Sequence, residues 1–237
     1  MKKALSIFII LILNICLTAC SYNPPEGWTK KHHNYEEVLE FAKSIDPNAT
    51  VIEKYTDTVD EYGWEFREWD AVINGIDCHV SSVSDWVWNE GFGAGEFVKV
   101  YYRIDTDYDY TVIKNIVSEE YSEWKCGESL SDKYHSNTIY LHLTMPEFRM
   151  LNDDELEQVW QIACEINEKY EKLSVAKKIG FAIPSPAKYC NPDGEQEYFV
   201  RKDSHAYITD FTEEGKNTFL QEYREDWALL ESGLPVY

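Results

Sequence analysis

The sequence predicts an α+β fold: an antiparallel sheet with about three to four helices, in a single compact domain. Three observations carry that expectation. Asn74-Gly75 lies between two strand-like runs, and this dipeptide suits a type I′ hairpin turn. Capped apolar stripes at helical spacing stand near both ends of the chain. Strand-like segments cluster in the middle without strict β-α alternation, a pattern that favours segregated helices on an antiparallel sheet.

Taken in order, Asn34 precedes Tyr35-Glu36-Glu37, with the acid three residues on that completes a capping box. Tyr35, Val38, Leu39, Ala42 and Ile45 then share a helical face, and Pro47-Asn48 stops the helix. Residues 49–58 are β-branched enough for a strand. The hairpin arms are Trp64–Ile73 and Ile76–Val83. In the second arm Ile76, Cys78 and Val80 alternate. In the first, Trp64 and Phe66 take one parity and Trp69, Ala71 and Ile73 the other, so either both faces are covered or a bulge shifts the register. Phe97–Ile104 reads as a strand and Thr111–Glu120 as a helix. Thr138–Met145 alternates, with Ile139, Leu141, Leu143 and Met145 on one face. Asn152 caps a long helix that opens with Asp153-Asp154-Glu155, acids suited to its positive end. Its stripe is Leu156, Val159, Trp160, Ala163, Cys164, Ile166 and Tyr170. Ile179–Ile183 and Gln196–Arg201 read as strands paired across Asn191-Pro192-Asp193-Gly194, and Thr212 caps a last helix.

The N-terminus carries a separate signal. Met1-Lys2-Lys3 is followed by an apolar run from Ala4 to Leu17, shorter than the ~20 residues a membrane span requires. It has the length and flanks of a secretory signal core. It ends in Leu17-Thr18-Ala19-Cys20, which resembles the lipobox of bacterial lipoproteins. The resemblance covers the first 20 residues only. It implies cleavage before Cys20, diacylglyceryl attachment to its sulfur, and an extracytoplasmic protein held to a cell membrane by lipid. Each buried CH₂ contributes about 0.8 kcal/mol, so two or more acyl chains anchor stably. Residues 1–19 are then a signal peptide, 20–34 the lipidated cysteine and a flexible tether, and 35–237 the α+β domain.

The chain carries 43 acids against 22 lysines and arginines, a net charge of −21. Such a field repels phosphate backbones, so nucleic acid is not an expected partner. Apolar content of 44% with 15% aromatics suffices for a core. Besides Cys20, the cysteines after the signal peptide are Cys78, Cys126, Cys164 and Cys190. Outside the membrane they are free to form disulfides, and three full pairings remain open.

Chemical motifs are weak. Asp105-Thr106-Asp107-Tyr108-Asp109 opens like a calcium loop, but Tyr110 and Ile116 stand where an EF-hand needs Gly and Glu. Gly91-Phe92-Gly93-Ala94-Gly95 lacks the spacing and the Lys-Ser/Thr of a P-loop. Ser-x-x-Lys occurs at Ser122, Ser174 and Ser185 without a Lys-Thr-Gly partner. His135, His142 and His205 show no metal-ligand spacing. No catalytic residue, metal or cofactor is expected. The preferred ligand-binding residues are Trp86, Trp88, Asn89 and Phe92, two aromatics on one strand face beside a glycine-rich loop. The reading is a binding protein of the cell envelope with a protein or glycan partner. One alternative is an envelope glycan hydrolase using Asp/Glu, which requires two close carboxylates at the base of an aromatic cleft. Another is an immunity-type protein whose acidic face neutralises a basic toxin.

Overall fold

In a computed structural model, residues 26–88, 98–127, 129–190, 198–232 and 234–236 are described. The mix of helix and strand is α+β. The strands form two four-stranded sheets rather than one, and the chain divides into two compact units, 1–106 and 107–237.

The first unit is a helix followed by an antiparallel meander. Helix α1 (Tyr35–Ile45) begins with the expected box: Asn34 accepts from the Glu37 N–H and the Glu37 carboxylate accepts from the Asn34 N–H. Sheet A then runs β1 (Thr50–Val59), β2 (Glu65–Ile73), β3 (Ile76–Trp88) and β4 (Val98–Thr106), in sequence order. Asn74 and Gly75 take φ of 49° and 77°, the two left-handed positions of a type I′ turn. The parity conflict in β2 is not a bulge between β2 and β3, because their register runs unbroken from Phe66↔Val83 to Ile73↔Ile76. Both faces of the hairpin carry buried residues: Trp69, Ala71, Cys78 and Val80 on one, Phe66, Ser81 and Val83 on the other. The register shift lies instead in β1, between Val51 and Tyr55.

The second unit opens with α2 (Tyr108–Glu120), three residues earlier than the sequence predicts. Sheet B has the order β5 (Trp124–Cys126), β6 (Thr138–Leu143), β7 (Lys178–Cys190) and β8 (Tyr198–Ile208). One-turn helix α3 (Leu130–Tyr134) precedes β6, α4 (Asp153–Glu171) joins β6 to β7, and α5 (Glu213–Ala228) follows β8. The α4 crossover makes β6 and β7 parallel, so sheet B is mixed where an antiparallel sheet was expected. Its core face carries Ile139, Leu141, Phe181 and Ile183, all buried together with Trp160, Ala163, Ile166 and Tyr170 of α4 and Phe219 and Tyr223 of α5.

Strands β7 and β8 extend well beyond their predicted ends. Pro184 and Pro186 argue against a strand there, since proline cannot donate to a ladder. However, β6 pairs with β7 only as far as Ala182, so both prolines lie past that pairing. The other side stays paired to β8 with a register shift between Ser185 and Ala187.

Candidate functional site

The face of sheet B opposite this core presents a cluster of rings. Tyr140 and His142 occupy the outward parity of β6, and His205 and Tyr207 the matching parity of β8. Tyr140 and Tyr207 meet edge to face at 5.3 Å, and His142 and His205 do the same at 5.0 Å. His205 also lies 6.3 Å from Tyr207, which joins the two pairs. Gly180 and Ala182, on β7 between them, form a low floor. A Cβ on Gly180 would stand 2.7 Å from Tyr140 Cε1, so the glycine is what lets the tyrosine ring lie flat across the strand.

A shallow cavity of about 200 Å³ opens beside the rings, lined by Gly127, Ser136, Thr138, Ile139, Tyr140, His142 and Tyr207. The lining mixes hydroxyls, an imidazole and aromatic rings, and none of these residues is Asp or Glu. Burial pushes the His205 imidazole below its usual range, and a charge on His142 pushes it further, with Asp203 opposing. His205 therefore favours its neutral form, which leaves its ring a hydrogen-bonding tip on a stacking surface.

The first unit holds a second polar-aromatic cluster, on the face of sheet A that bears Trp69. The Tyr102 hydroxyl donates to Glu65 Oε2 at 2.6 Å, while His32 packs against the Tyr102 ring at 4.1 Å. Burial first, and this bond second, raise Tyr102 to about 12. Arg67 grips Asp57 with two donors at 2.8 and 3.0 Å and lies 4.2 Å over the Tyr55 ring. Its hydrogen bonds hold the Asp57 carboxyl below the usual range. Apart from His32, whose Nδ1 is buried without a hydrogen-bond partner among the described residues, these groups satisfy one another, which marks a cross-strand ladder of the sheet surface.

The residues singled out from sequence are distributed differently. Trp86 and Trp88 end β3, paired with Val100 and Val98 of β4. Asn89 and Phe92 lie outside the described residues, as do Gly91–Gly95 and Cys20, the lipidation site expected from sequence. The acidic run 105–109 is divided between roles: Asp105 ends β4 in an ion pair with Arg103, whereas Asp109 is buried in α2. Its carboxylate accepts from the backbone N–H groups of Val175, Ala176 and Lys177 at 2.8–2.9 Å. Ser185 is fully buried and donates to Asp226 at 2.9 Å, while Lys188 is exposed, so this Ser-x-x-Lys does not form an accessible nucleophile. Cys78 is buried, and Cys126 and Cys164 are half-buried. Among the described residues no three His, Cys, Asp or Glu side chains converge to hold a metal ion.

Sequence reading missed the ring platform. His142 and His205 are far apart in the chain, and the predicted β8 stopped at Arg201, short of His205 and Tyr207. One signal was present: Tyr140 and His142 take the polar parity of a strand whose other parity is Ile139 and Leu141.

Comparison with known proteins adds little. No family model matches the chain, and no solved structure matches it. A stretch of 104 residues is 33% identical to DNA topoisomerase 1 of Buchnera aphidicola, covering 40% of this chain and 12% of that protein. The chain thus spans only a small part of the length of the curated relative it matches.

Proposed function

We propose that this is a lipid-anchored extracytoplasmic binding protein whose sheet B platform receives a neutral sugar ring of an envelope glycan. The observation that carries the reading is the ring cluster Tyr140, His142, His205 and Tyr207 beside a small cavity. Aromatic and imidazole faces stack on the apolar face of a sugar. The hydroxyls of Ser136 and Thr138 and the ring tips supply hydrogen bonds at its edge. The cavity is smaller than the ~300–1,000 Å³ of drug-sized ligand pockets, which suits a single ring of a longer chain. Among the described residues lining the cavity none is Asp or Glu, and the reading of binding rests on the stacked rings. The net charge of −21 weighs against a nucleic-acid partner, and so against carrying the topoisomerase's subject matter to this chain.

The test is retention of the full-length protein on immobilised envelope glycan, compared with Tyr140→Ala and Tyr207→Ala. Each substitution should weaken retention at least tenfold while leaving circular dichroism unchanged. Equal retention by folded variants would remove the platform from the function. Anchoring is tested separately by labelled palmitate incorporation, which Cys20→Ala should abolish.

A further inference from the structure

Among the described residues, three of the four sheet edges are each bridged at one point or short. Thr29 bridges to Tyr102 on the outer side of β4, and Val236 bridges to Val200 on the outer side of β8. The edge strand β5 has three residues. The exception is β1, ten residues long and paired only to β2 among the described residues. An edge of that length presents unpaired N–H and C=O groups that another strand can join.

The two halves of β1 differ. Between Val51 and Tyr55 the register with β2 shifts, and Lys54 stands in the shifted stretch; an irregular backbone and an edge lysine both discourage pairing. From Tyr55 to Val59 the register is unbroken against Trp69 to Glu65. This regular half carries Tyr55 and Val59, 46% and 65% exposed, on one face, with the exposed Asp57 between them. Thr56 and Thr58 take the other face, where the Thr58 hydroxyl donates to Glu68 at 3.4 Å. Around it the charge is one-sided: residues 50–77 contain eight acids and only two bases, Lys54 and Arg67.

That charge also decides against a second copy as the occupant. The two-fold antiparallel register that pairs all five residues sets Tyr55 opposite Val59 and Asp57 opposite Asp57. Like charges directly opposite destabilise a strand pair, and each copy would bring the same acidic surroundings. A basic strand reverses the second term, and an uncharged residue opposite Asp57 removes the first.

We propose that the outer edge of β1, over Tyr55–Val59, receives an extended basic segment of a partner protein as a fifth strand of sheet A. Main-chain hydrogen bonds supply the attachment, and alternate side chains supply the selection. Apolar residues of the incoming strand lie beside Tyr55 and Val59. Lysines or arginines lie beside Thr56 and Thr58, where Glu68 follows one strand further in. This surface is separate from the sugar platform and does not depend on it.

The experiment uses the full-length protein in detergent micelles and a fluorescent peptide, Lys-Val-Lys-Tyr-Lys-Val-Lys. Anisotropy should show binding that weakens about tenfold or more as salt rises from about 0.05 to 0.5 M, since screening shortens the reach of the acids. The same peptide with Glu for Lys should not bind. Peptides N-methylated at alternate residues remove ladder donors without altering the protein, and one of the two alternations should lose at least tenfold in affinity. Hydrogen exchange should slow at alternate amides within Tyr55–Val59. Failure to bind at millimolar concentration, equal binding by both N-methylated peptides, or protection confined to other strands would overturn the proposal. So would a dimer in sedimentation whose Tyr55–Val59 amides are already protected without peptide, which would make a second copy the occupant.

Discussion

Gly180→Ala tests whether the platform geometry depends on one missing methyl group. Gly180 sits opposite Tyr140 in the parallel β6–β7 pair, and its φ is not in the left-handed region, so the backbone accepts alanine. The new Cβ would meet Tyr140 Cε1 at 2.7 Å, Cδ1 at 3.0 Å and Thr209 Cγ2 at 3.2 Å. Carbon pairs settle at ~3.5–4.0 Å, so the ring must retreat by about 0.8 Å or more. Overpacking of this kind costs about 1–3 kcal/mol. Alanine in a strand recovers ~0.5–1 kcal/mol over glycine, leaving a net loss of about 0–2.5 kcal/mol. Removing the ring removes the conflict: in a Tyr140→Ala background the same substitution should stabilise by about 0.5 kcal/mol. The double-mutant cycle should therefore show a coupling of about 1–3 kcal/mol. Urea denaturation of the four proteins, followed by near-ultraviolet circular dichroism, measures it. A coupling below about 0.5 kcal/mol, within ordinary additivity, would refute the claim that Gly180 sets the position of Tyr140.

Three further outcomes are expected. Asp109→Asn replaces an acceptor of three backbone N–H groups with a side chain that must turn its own NH₂ toward one of them; a loss of about 2–3 kcal/mol should appear in calorimetry. Asn152→Ala removes the acceptor that holds the Glu155 N–H at the start of α4 and should lower the urea midpoint by the equivalent of about 1 kcal/mol. Stability should fall with acid in two windows. The folded His205 pKa is depressed below 6.5, so the unfolded chain binds its proton first, and stability declines as pH drops through 6.5 toward the folded value; His205→Gln should flatten that segment. Arg149 and the Asn152 N–H hold Glu155 at about 2, so its contribution is lost as pH falls from 4.5 to 2, and Arg149→Ala should reduce that slope.

The legible parts of the fold are those whose information is local. The Asn74-Gly75 turn, the Asn34 box and the Asn152 cap each need only about four residues, and the structure places all three as read, adding at Asn152 a reciprocal bond to Glu155. What stayed hidden depends on distant partners. β5 is three residues long, too short for any periodicity, and exists because β6 lies beside it. The β6–β7 pair is parallel because α4 returns the chain to the same end of the sheet, a choice that strand patterning alone does not record. The candidate platform was illegible for the same reason: its four rings come from two strands separated by β7, and only the crossover brings them to one face.

The acidic composition shows the converse. Read as a sequence, Asp105-Thr106-Asp107-Tyr108-Asp109 opens like a calcium loop and then departs from it at Tyr110 and Ile116. In the fold, Asp109 is instead buried at the start of α2 and collects three peptide N–H groups from the segment before β7. A buried carboxylate without such donors would carry a desolvation cost that no surface charge bears. Three charge-assisted hydrogen bonds offset it and fix the 175–177 backbone just before β7 enters sheet B. The acids around β1 have the opposite character: Glu53 and Glu61 are exposed, and their field is available to whatever approaches. Net charge alone cannot separate these two uses of the same side chain. Burial and the identity of the donor do, and that separation directs a basic partner to sheet A while assigning Asp109 to the scaffold.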